Sequence, residues 1–112
     1  MTFSNDQVAE LKQLCAEVQC CDEAGCTYLL LPGLRLPPGC SPASIDALFC
    51  PTARDGYASR LFFAERISHT SPLNWNATRV RILDRNWDAF SWKVSDEPSL
   101  IKMVAAHLRA FR

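Results

Sequence analysis

The side chains able to do chemistry in this chain are distributed unevenly. All six cysteines lie in the first 50 residues, as Cys15, Cys20, Cys21, Cys26, Cys40 and Cys50. The two histidines, His69 and His107, both lie beyond them. No residue after Cys50 can therefore act as a thiol nucleophile. A cysteine–histidine pair would need Cys40 or Cys50 to meet His69 or His107 through the fold. The run Cys15, Cys20, Cys21, Cys26 is dense in soft ligands. Its spacings of four and four, on a helix and its end, do not match the two separated pairs usual in structural zinc sites. Free, partly buried thiols are expected. A serine–histidine–aspartate arrangement stays open, but no nucleophile-elbow pattern supports it. The four glycines, Gly25, Gly33, Gly39 and Gly56, are scattered turn residues rather than a phosphate cradle.

These groups must be carried by one small domain. The chain has 112 residues, 48% hydrophobic and 21% charged, which reads as globular. Twelve basic residues balance twelve acidic ones, so net charge argues against nucleic acid as a partner. Arg79, Arg81 and Arg85 with Trp75 and Trp87 are the one combination of charge and stacking surface that would suit a single strand. The longest apolar runs, such as Tyr28 to Leu31, are far short of the ~20 residues that span a bilayer. The opening Met-Thr-Phe-Ser-Asn-Asp lacks the basic and apolar regions of a signal peptide. A reducing, cytoplasmic location is expected, and with it unpaired thiols.

The elements follow from periodicity and punctuation. Residues 4–19 read as a helix with Ser4 as cap, Gln7 at capping-box spacing, and Val8, Leu11, Cys15 and Val18 on one face. Cys15 belongs to that stripe and is expected to pack as a small hydrophobe. Cys26–Leu31 reads as a strand stopped by Pro32-Gly33, with residues 34–36 a short extension. Ile45–Cys50 and Arg60–Ser68 read as further strands, with Asp55-Gly56 as a turn. Residues 68–80 lack periodicity and read as a polar loop holding Trp75. Residues 82–94 carry Trp87, Phe90 and Trp92, expected to pack between a terminal helix and the sheet. That helix is expected over 97–112, with Pro98 in its first turn, Leu100, Val104, Leu108 and Phe111 inward, and Arg109 and Arg112 at its end. His107 is expected to be a packed or surface residue. Sequential strands flanked by helices predict an α+β sandwich with the sheet covered on one face.

In this order the segments resemble a known family. Tyr28-Leu-Leu-Leu-Pro-Gly-Leu-Arg-Leu-Pro-Pro-Gly39, Asp55-Gly-Tyr57, Leu61-Phe-Phe63, Trp87-Asp-Ala-Phe-Ser-Trp-Lys93 and the last helix resemble bacterial members of the ubiquitin-conjugating (UBC/RWD-like) superfamily. They look like the small prokaryotic UBC family E, over roughly residues 25–112. The resemblance implies a UBC-like fold: N-terminal helix, antiparallel strand meander, irregular active-site-type loop, C-terminal helix. The chain is shorter than typical conjugating enzymes, so a minimal core is implied.

The resemblance also implies a component of a ubiquitin-like modification pathway. Its implied partners are a ubiquitin-like protein, a ubiquitin-activating-type adenylating enzyme and a deconjugating peptidase of the same pathway. No cofactor and no metal are expected. His69 matches the histidine of the family's His-Pro-Asn signature, while Thr70 and Ser71 stand where proline and asparagine would be. The nucleophile slot, counted from His69 or back from Trp87, falls between Ala77 and Ile82 and holds no cysteine. A hydroxyl route would use Thr78, with Ser91 second and His69 a candidate base. Lys93 stands where some relatives carry a histidine. The alternative is a non-catalytic adaptor that binds a ubiquitin-like protein or a conjugation enzyme.

Overall fold

The computed structural model describes residues 5–52, 56–69, 73–94 and 99–111. The expected Ser4 cap, Asp55, Thr70 to Pro72, Asp96 to Pro98 and Arg112 lie outside those residues. The order is α1 (Asn5–Leu11), β1 (Gln19–Glu23), β2 (Cys26–Arg35), β3 (Ser44–Cys50), β4 (Arg60–Phe63), β5 (Ala77–Ile82), β6 (Arg85–Ala89) and α2 (Leu100–Leu108), which ends in a 3-10 turn, Arg109–Phe111. The strands form one antiparallel sheet in the order β1-β2-β3-β4-β6-β5. The α+β class is as expected; several elements differ.

The first helix is shorter than its apolar stripe predicts. After Leu11 the backbone tightens into i→i−3 bonds, with Lys12, Gln13 and Leu14 donating to Ala9, Glu10 and Leu11. That tightening is typical of a fraying C-terminus. Leu11 and Cys15 are still buried in the core, so the stripe was a sound guide to burial but not to helix length. Residues 19–23 instead pair with β2. The turn Ala24-Gly25 has both φ angles positive (51° and 80°), the backbone of a two-residue hairpin whose twist matches its strands.

Pro32-Gly33 does not stop β2. It forms a bulge, a register shift between Leu31 and Leu34. The Gly33 N–H donates to Asp46 Oδ1 at 3.0 Å, which satisfies the donor that the bulge frees from the ladder. Arg60–Ser68 is a strand only as far as Phe63. Within the expected loop, Ala77–Ile82 is a strand that forms a hairpin with β6 through Leu83-Asp84, both at positive φ (53° and 60°).

That hairpin gives the molecule a second core. Leu29, Leu31, Ala47, Phe49, Leu61 and Phe63 point to one face, against Leu11, Leu100, Val104, Leu108 and Phe111. Tyr28, Leu48, Cys50 and Phe62 point to the other, against Ile82, Trp87 and Ala89. The sheet is thus covered on both faces rather than one, because it curls and brings β5 and β6 over its back. Trp87 and Ala89 share a side by strand alternation, and Phe90, next in chain, falls on the helix side. Hence only Phe90 takes the expected place, stacked on Phe63 at 5.7 Å and edge-on to Phe111 at 5.3 Å. Trp87 is buried on the opposite face, donating to the Ile82 carbonyl at 3.0 Å. Trp92 stays 37% exposed, with its indole N–H on the Ala106 carbonyl of α2 at 3.1 Å.

Two contacts pin the curl. Asp46 on β3 pairs with Arg85 on β6 at 3.2 Å. Glu23 at the end of β1 accepts the Leu83 N–H at 3.2 Å. No helix among the described residues is long and apolar enough to cross a membrane.

Candidate functional site

Antiparallel topology determines which residues meet. β4 and β5 begin, and β6 ends, at the same end of the sheet, because each pairs antiparallel with its neighbour. Tyr57 just before β4, Asn76 just before β5 and Ser91 just after β6 therefore converge. The Ser91 Oγ and the Tyr57 hydroxyl are 2.8 Å apart. Asn76 Nδ2 donates to the same Tyr57 oxygen at 3.0 Å. Arg60, the first residue of β4, donates to Asn76 Oδ1 and lies over the Tyr57 ring, 4.6 Å from its centroid. The Ser91 N–H donates to the Asn74 carbonyl at 2.7 Å, which holds the serine against the strand entry.

The electrostatics follow from these contacts. Hydrogen bonds from Ser91, then Asn76, hold the Tyr57 phenol below its ordinary value, and the charges of Arg60 and Lys93 act in the same direction. Each favours the phenolate. Arg60 is buried in its strand, 4% exposed, between the Tyr57 and Phe62 rings. Beside it Ser59 Oγ meets His107 Nε2 at 2.9 Å. His107 is 2% exposed, and burial, then the Arg60 charge, lower its pKa to about 4. It is a packed, neutral residue.

The three residues singled out from sequence do not meet one another. Ser91 sits in the network just described. Thr78 is exposed on β5. His69 lies beyond the other end of β4, edge-on to Phe111 at 5.6 Å. Sequence reasoning missed Tyr57, Asn76 and Arg60 as site residues. Tyr57 lies in the Asp55-Gly-Tyr57 segment, but its 34-residue separation from Ser91 carries no local signal; only the strand order joins them.

All six cysteines are free thiols, with Cys15 and Cys50 buried and Cys20 exposed. None belongs to the Tyr57–Ser91 network. No group of three or more metal-type ligands converges among the described residues. The combination considered for a nucleic-acid strand is dismantled, because Trp87 is buried and Arg85 packs over its ring while pairing with Asp46. No family model, no curated protein and no solved structure matches this chain.

Proposed function

We propose that this chain is a UBC-like component of a ubiquitin-like protein modification pathway that carries an acyl group on the Ser91 hydroxyl, in place of the family's cysteine. The observation that supports this reading is the Tyr57–Ser91 contact of 2.8 Å, with Asn76 and Arg60 behind the phenol. A serine hydroxyl is a weak nucleophile until a neighbouring group takes its proton. In the proposed step Ser91 Oγ attacks the C-terminal carbonyl carbon of an activated ubiquitin-like protein. Tyr57, as phenolate, accepts the Ser91 proton, and the adenylate or thiolate leaves. Arg60 and Lys93 stabilise the phenolate. The product is an oxyester. Thr78, the residue indicated by counting along the family pattern, has no such neighbour among the described residues. The partners on this reading are the ubiquitin-like protein and its adenylating enzyme, with a deconjugating peptidase acting later.

The test mixes the chain with an adenylating enzyme of that class, its ubiquitin-like protein and ATP. A covalent adduct that survives dithiothreitol, is cleaved by hydroxylamine, and is lost in Ser91→Ala but kept in Thr78→Ala supports the reading. A stable complex without any adduct supports the adaptor instead.

A further inference from the structure

A small cavity lies on the helix side of the sheet, where the turn after α1, the end of β2 and α2 meet. Leu14, Leu36, the Pro37-Pro38 pair, Ala105 and Leu108 line it together with one charged residue, Arg35, and it holds about 240 Å³. The space follows from the local sequence. α1 ends at Leu11, β2 ends at Arg35 where two prolines follow, and Ala105 gives α2 only a methyl group at this point. The donors around the cavity are accounted for. The Leu14 N–H donates to the Leu11 carbonyl, that of Arg35 to Leu14 and that of Leu36 to Ala43, at 2.9–3.2 Å. The prolines have no N–H, and those of Ala105 and Leu108 lie inside α2, where the helix ladder uses them. The polar side chain that remains is the Arg35 guanidinium. It donates to the Gln13 carbonyl at 2.9 Å through Nη2, which uses one of its five N–H groups. No carboxylate among the described residues lines the cavity.

The geometry points to this cavity as a binding site for a small apolar monocarboxylate of the medium-chain fatty acid class. Its walls are leucine, proline and alanine, so a polar body buried there would lose its hydrogen bonds to water without replacement. The volume lies below the ~300–1,000 Å³ of drug-sized ligand sites, which limits the ligand to a short chain. The single cation sets the end group. A guanidinium fork matches a carboxylate through charge-assisted hydrogen bonds. An alcohol of the same length lacks the charge, and an amine meets like charge. The apolar chain lies against Leu14, Leu36 and Leu108 with the carboxylate at Arg35, whose stem covers part of the wall. The cavity shares no residue with the Tyr57–Ser91 network and does not depend on the function proposed for it.

Octanoate, octanol and octylamine share a chain and differ only at its end. Titration calorimetry on the full chain at neutral pH should show saturable binding of octanoate. Its affinity should exceed that of octanol by at least about tenfold, the worth of a hydrogen bond to a charged group, and octylamine should bind no better than octanol. Arg35→Met keeps an apolar stem and removes the charge, so octanoate should then bind no better than octanol. Ala105→Phe fills the cavity from an exposed position on α2 and should abolish binding of both. Arg35 also anchors Gln13 and Leu14, so Ala105→Phe keeps the test decisive should Arg35→Met fail to fold; circular dichroism checks each variant. No saturable binding of octanoate would overturn the proposal. So would octanol or octylamine binding as tightly as octanoate, a preference for octanoate retained in folded Arg35→Met, or octanoate binding unchanged in folded Ala105→Phe.

Discussion

At the scale of single residues, Tyr57 and His107 make opposite use of similar chemistry. Tyr57 is half-exposed and its phenolate is favoured by hydrogen bonds and nearby cations. Acyl transfer to Ser91 should therefore rise with pH as the phenol ionises, beginning below the range of a free tyrosine. Tyr57→Phe should lower the transfer rate by 10²–10⁴-fold, the usual span for losing a general base, and flatten that pH profile. Single-turnover adduct formation at a series of pH values checks both.

His107 is buried and neutral, with its folded pKa lowered from 6.5 to about 4. Below pH 6.5 the unfolded chain takes up a proton that the folded chain refuses. The stability His107 contributes is thus present above pH 6.5 and lost as pH falls towards 4. The loss amounts to about 3 kcal/mol, from 1.36 kcal/mol per pH unit. Urea unfolding at pH 7 and pH 4.5 should show it, and His107→Phe should remove most of the difference.

At the scale of elements, the strands were legible where alternation and turn residues agreed, as over Ile45–Cys50 and Arg60–Phe63. They were not legible where pairing overrode the local pattern. The apolar stripe of residues 4–19 fits a helix, yet residues 19–23 gain more by pairing with β2 across the Ala24-Gly25 turn. β5 was hidden because Arg79, at φ 53°, interrupts its alternation between Ala77 and Val80, and because its partner follows it in sequence. Leu83, an unusual residue at positive φ, concealed the hairpin turn; it packs at the margin of the back-face core. Ala24 makes no such contact and is exposed at φ 51°. Ala24→Asn, giving the Asn-Gly pair favoured in this turn, should stabilise the protein by about 1 kcal/mol. The check is a higher urea midpoint at unchanged slope.

At the scale of the whole molecule, the curl that covers both faces also brings the candidate site together. The hairpin of β5 and β6 must lie across the back of the sheet for Asn76 and Ser91 to reach Tyr57 at the far end. Trp87 is fully buried in that interface. Trp87→Ala should cost about 3–5 kcal/mol, measured by chemical denaturation. Asp46 holds both the Gly33 bulge and Arg85; both contacts are exposed, so Asp46→Ala should cost only about 0.5–1.5 kcal/mol, the net worth of a solvated hydrogen bond and a surface ion pair. The α+β class, with helices at both ends of an antiparallel sheet, was legible from the order of segments. The Tyr57–Ser91 network was not legible, because strand order rather than local sequence assembles it.

The most direct measurement is the position of the acyl group itself. After a single round of transfer from an activated ubiquitin-like protein, the adduct is digested and the linkage is sequenced by tandem mass spectrometry. An ester on Ser91, formed more slowly in Tyr57→Phe, is the predicted result. A linkage at Thr78, or a thioester on any of the six cysteines, would contradict the proposal that Ser91 is the acyl acceptor.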